Sequence, residues 1–88
     1  MSILTEADGI VNNRSEEADR QYGPFSEGME RAAMIMSGMT GMPITAEHMY
    51  KALIALKLSR ESYKHKRDNL LDAAAYIQGL ENYINERS

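Results

Sequence analysis

The chain has no cysteine, so neither a disulfide framework nor a thiolate metal site is open to it. Valine occurs once, at Val11, while alanine, leucine, methionine, glutamate, lysine and arginine are plentiful, a composition that favours helix over strand. The only two prolines, Pro24 and Pro43, fall where turns are expected. Positive charge is not in excess: the formal net charge is −3 and the pI near 5.3, which excludes a general nucleic-acid binder built on a basic surface. No apolar run approaches membrane-spanning length, and Glu6 and Asp8 stand where a signal peptide would be basic, so a cytoplasmic protein is the simplest reading. Internal repeats and low-complexity segments are absent, as are a serine–histidine–acid arrangement, a Gly-rich phosphate loop and a zinc motif.

What remains is 88 residues of helix-forming sequence, read as one domain over residues 1–88. A core of that size stabilises a fold only marginally, so good helix packing or a partner subunit must support it, and a homo-oligomer is expected. Ile3, Ala7, Ile10 and Val11 recur at helical spacing and predict a short helix from about Ile3 to Asn13, with Asn12-Asn13 as a left-handed stop. The polar stretch from Arg14 to Gly23 predicts either a helical turn through Glu16 and Arg20 or an ordered loop, and Tyr22-Gly23-Pro24 a turn. A second helix is expected from Pro24 or Ser26 to about Ser37, with Met29, Ala32, Ala33 and Met36 inward. Gly38, Gly41 and Pro43 should end it.

The stretch from Thr45 to Tyr76 predicts a long central helical hairpin. Thr45 is a good N-cap, and the apolar run Ala52 to Leu56 suggests that the third helix forms the buried centre. Met49, Leu53, Leu56, Lys57 and Arg60 share one side of it. Glu61 to Arg67 should be the turn. The last helix should run from Asp68 towards Arg87, with Leu70, Ala73, Ala74, Ile77, Leu80 and Ile84 as its apolar stripe. The sum is an all-α, compact bundle of about four helices.

Such a hairpin brings Lys57 and Arg60 near Asp68 and Asp72. One reading is an interhelical ion-pair cluster that sets register. The other is a site where the cations meet phosphate and the acids hold magnesium or a ligand hydroxyl. Lys64-His65-Lys66-Arg67 is a basic tract at a helix N-terminus, a position that opposes the helix dipole but suits an anion. His65 and Arg67 therefore join the candidate ligand set. Glu27 and Glu30 form an E-x-x-E pair that, with Asp68 and Asp72, would complete a carboxylate magnesium site across two helices. Six of the seven methionines lie between Met29 and Met49, as core filling or as a self-association surface. Tyr76 and Tyr83 suit either role, and His48 reads as a surface histidine.

The chain resembles a family of small helical proteins of unknown function found widely in phage genomes. The resemblance runs from about Arg20 to Tyr76. It rests on Tyr22-Gly23, the F-x-x-x-x-E-R-A-A run from Phe25 to Ala33, Ile44-Thr45, L-K-L-S-R from Leu56 to Arg60, and H-x-R-D-x-x-x-D-x-A-x-Y from His65 to Tyr76. Ala75 stands where the family pattern would have glycine. That family is in turn loosely similar to the all-α MazG-type nucleoside triphosphate pyrophosphohydrolases, which bind magnesium through E-x-x-E and E-x-x-D pairs. Glu27 and Glu30 match the first pair in form, whereas Asp68 and Asp72 have D-x-x-x-D spacing.

Three functions follow as expectations. The first is a binding protein that holds a phosphorylated, nucleotide-like ligand through Lys57, Arg60, His65 and Arg67, for nucleotide metabolism or to sequester a host signalling nucleotide. The second is a MazG-like, magnesium-dependent hydrolase using Glu27, Glu30, Asp68 and Asp72. The third is a counter-defence or host-takeover protein that binds a host protein, acting in the host cytoplasm if phage-encoded.

Overall fold

Helix α1 (Ile3–Asn12) begins where Ser2 is extended (φ −75°, ψ 155°) and its Oγ accepts the Thr5 N–H at 3.1 Å, satisfying a donor that the first turn leaves open. The computed structural model describes residues 2–13 and 25–87. The expected turn through Glu16 and Arg20 and the Tyr22-Gly23-Pro24 turn lie outside the described residues. The helix stops where expected but by another device, since Asn13 has φ −121° and is not left-handed. Asn12 acts through its side chain: Nδ2 donates to Asp8 Oδ1 at 2.6 Å, and Oδ1 accepts from Asn82 Nδ2 at 2.7 Å.

Helix α2 (Phe25–Thr40) extends past the expected end at Ser37 and carries Gly38 within it. Gly41, at φ +72°, is the left-handed stop, and its N–H donates to Ser37 O at 3.0 Å. Two hydroxyls hold the following loop. Ser37 Oγ accepts the Ile44 N–H at 3.0 Å, and Thr40 Oγ1 accepts that of Met42 at 3.2 Å. The inward stripe is as expected, with Met29 and Ala33 buried and Ala32 and Met36 half-buried.

Helix α3 (Ala46–Tyr63) starts at the predicted cap. Thr45 Oγ1 accepts the His48 N–H at 3.2 Å, and His48 Nδ1 accepts the Thr45 N–H at 3.0 Å. His48 is thus no idle surface residue: it fills the place that glutamate or glutamine takes in a capping box. Glu61 is helical rather than part of the turn, which shrinks to residues 64–66 before α4 (Arg67–Arg87).

α3 is not the buried centre. Ala52, Ala55 and Leu56 are exposed, because α2 and α4 cover other sides of α3 and leave these three residues without a neighbour among the described elements. The central element is α4, which lies against α1, α2 and α3. Its buried positions are Asn69, Ala73, Ala75, Gly79 and Tyr83, and two of the expected stripe, Ile77 and Ile84, are 53% and 42% exposed. A helix packed on more than one side needs small residues at the closest approach. A Cβ on Gly79 would stand 3.0 Å from both Phe25 Cε1 and Tyr50 Cε1.

Met29, Ala46, Tyr50 and Tyr83 form the core, joined by half-buried Phe25, Met49, Leu53, Tyr76 and Leu80. Its rings interlock: Phe25 lies 5.8 Å from Tyr50 and 6.0 Å from Tyr76, and Tyr50 lies 5.8 Å from Tyr83. Burial, then the nearby Glu86, pushes the Tyr50 phenol up to about 12. The methionines divide, for Met29, Met36 and Met49 pack inward while Met34, Met39 and Met42 are 73%, 75% and 61% exposed.

Candidate functional site

The hairpin is antiparallel, and its register follows from two contacts. Tyr50 lies opposite Gly79, and Lys57 lies opposite Asp72. Lys57 Nζ is 3.0 Å from Asp72 Oδ2, with the lysine side chain only 18% exposed. Its stem is buried while its ammonium reaches the acid at the rim. Of the expected cluster of Lys57, Arg60, Asp68 and Asp72, this one pair is formed among the described contacts.

The other predicted residues separate. Arg67 binds Glu6 of α1; this hydrogen bond holds the Glu6 carboxyl below the usual range and pushes the guanidinium up. His65 Nδ1 bonds Glu61 Oε2, and Glu61 Oε1 accepts the Lys66 N–H at 3.0 Å. Asn69, 8% exposed, supplies a further hydrogen bond to the same carboxylate. Those bonds, the one from His65 first, hold the Glu61 carboxyl below its ordinary value. Glu61 fastens the turn, a role the sequence marks only by its i,i+4 spacing to His65.

Asp68 is exposed in the first turn of α4, while Glu27 and Glu30 are exposed on the first turns of α2. Among the described residues, no three histidine, aspartate or glutamate side chains form a group that could hold a metal ion.

Arg60 is not drawn into these pairs. With Lys64 and Lys66 it lines a cleft of about 570 Å³ at the turn end of the hairpin, completed by Ser59, Tyr63 and Asn69. The cleft lies within the size range of small-molecule sites. Among the described residues none of its three cations has an acid partner, and no carboxylate lines it. Of the neighbouring acids, Glu6, Glu61 and Asp72 are each engaged by another partner, and Asp68 is exposed outside the cleft lining. Local charge thus runs opposite to the net charge of the chain. Of the predicted ligand residues, only Arg60 lines this cleft. Lys64 and Lys66 come from the basic tract, and sequence reasoning missed Ser59, Tyr63 and Asn69. The available signal was Tyr63, an aromatic set among charged residues.

No curated protein and no solved structure matches the chain. A family model, described as a domain of unknown function, DUF6378, matches residues 2–84. That match covers nearly the whole sequence, and the chain belongs to the DUF6378 family.

Proposed function

We propose that this protein binds a phosphorylated, nucleotide-like ligand in the cleft between the end of α3 and the start of α4. The observation that carries the reading is the set of three cations, Arg60, Lys64 and Lys66, around one cavity, with no acid partner among the described residues. Guanidinium and ammonium groups suit phosphate oxygens, and the nearby N-terminus of α4 adds to the favourable field. Binding without turnover fits this arrangement, as in nucleotide metabolism or the sequestration of a host signalling nucleotide by a phage-encoded protein. Lys57, His65, Arg67 and Asp72 then act mainly by holding the hairpin and α1 in place. The magnesium-dependent, MazG-like reading gains no support from the positions of Glu27, Glu30, Asp68 and Asp72.

Thermal denaturation against linear and cyclic nucleotides, with and without magnesium, tests the proposal. A ligand at a hundred times its dissociation constant adds about 2.7 kcal/mol to the native state. The shift is expected to vanish in Arg60→Ala and in Lys64→Ala/Lys66→Ala. A flat panel sinks the reading, and so does magnesium-dependent release of pyrophosphate that is lost in Asp72→Ala.

A further inference from the structure

Tyr63 stands apart from the other described aromatic residues. Phe25, Tyr50, Tyr76 and Tyr83 are joined through ring contacts in the core, whereas Tyr63 is 93% exposed and stacks on no ring. It is the last residue of α3 and lines the same cleft as Arg60, Lys64 and Lys66. A planar apolar face thus sits beside three cations, in a cleft that has no carboxylate among its described lining residues.

These features call for different parts of one ligand. The cations require an anion carrying more than one negative charge, since a single charge would leave the cluster largely uncompensated. The exposed ring offers a surface for a flat heteroaromatic group, a contact that every nucleobase can make. The lining also bears on metal. A magnesium ion bridging the phosphates would neutralise the charge that the three cations recognise, and no cleft-lining acid is present among the described residues to receive it.

Resting on the reading of the cleft as a phosphate site, we infer that its ligand is a nucleoside polyphosphate taken in metal-free form. The phosphates lie on Arg60, Lys64 and Lys66 and the base lies on Tyr63. Tyr63 is the residue that separates a nucleotide from a bare polyphosphate.

Titration calorimetry of the full chain with ADP and with pyrophosphate, in EDTA and then in excess magnesium, tests this. Wild type is expected to bind both in EDTA, ADP the more tightly, and to bind both more weakly with magnesium. Tyr63→Ala should weaken ADP roughly 5- to 100-fold, the range of one base stacked on an aromatic ring, and leave pyrophosphate unchanged. Tyr63→Phe should keep wild-type affinity for ADP. The side chain is exposed, so these variants should fold as wild type does, which circular dichroism checks. The inference fails, with the phosphate site intact, if ADP binds no tighter than pyrophosphate, if Tyr63→Ala leaves ADP affinity unchanged, or if magnesium strengthens binding. If wild type binds neither molecule, the cleft reading itself fails.

Discussion

A Cβ on Gly79 would lie 3.0 Å from two rings, yet an alanine would also gain helix propensity of about 1 kcal/mol. The two effects oppose each other, so Gly79→Ala should be close to neutral. Gly79→Val adds branching at the same point and should cost roughly 1–3 kcal/mol by overpacking, read as a lower midpoint in urea. Equal stability of the two variants would disprove the close packing. Glu6 and Glu61 contribute to the acid sensitivity of the fold. Both carboxyls sit below their ordinary value of 4.5, so their contribution is present above that value and is lost as pH falls through the lower folded values. Stability should therefore decline below about pH 4.5, and more gently in Glu6→Gln and Glu61→Gln. An unchanged acid slope in both variants would show that these pairs contribute nothing.

At the scale of the element, the third helix tests how far local signals carry. Its capping box uses His48 Nδ1 as acceptor, so His48→Ala should lose about 1 kcal/mol of stability while His48→Gln retains most of it. Equal loss in both would mean that the histidine packs rather than caps. Thr45 was readable as a cap because that signal is contained in four residues. The four described helices, the Met29–Ala33 stripe and the Lys57–Asp72 pairing were readable from periodicity and from hairpin geometry. The faces of α3 and α4 were not. Ala52 to Leu56 reads as buried, but burial depends on a neighbour: Leu53 packs on the core, while no described element covers Ala52, Ala55 and Leu56. Along α4 the large residues Ile77 and Ile84 draw the eye, while Ala75 and Gly79 mark the contact because they are small. The charges were legible as a group and not as pairs. Arg67 takes Glu6 from 61 positions away, which leaves Arg60 for the cleft.

At the scale of the whole molecule, exposed apolar surface bears on association. Met34, Ile35, Met39 and Met42 make an exposed apolar run around the end of α2, without a charged residue between Ala32 and Thr45. A homodimer through this face is the expected outcome in sedimentation equilibrium at tens of micromolar, and Met34→Glu/Met39→Glu should yield monomer with unchanged helicity. A wild-type monomer at those concentrations would refute it. The bonds that fasten α1 also bear on the order in which the chain assembles. Glu6–Arg67 and Asn12–Asn82 span 61 and 70 positions, while the hairpin closes through a three-residue turn fastened by Glu61. Of the four described helices α1 is synthesised first, but the surface it docks on belongs to α4, synthesised last of the four. Its face of Ile3, Ala7 and Val11 therefore has no docking surface until the residues of α4 have been made.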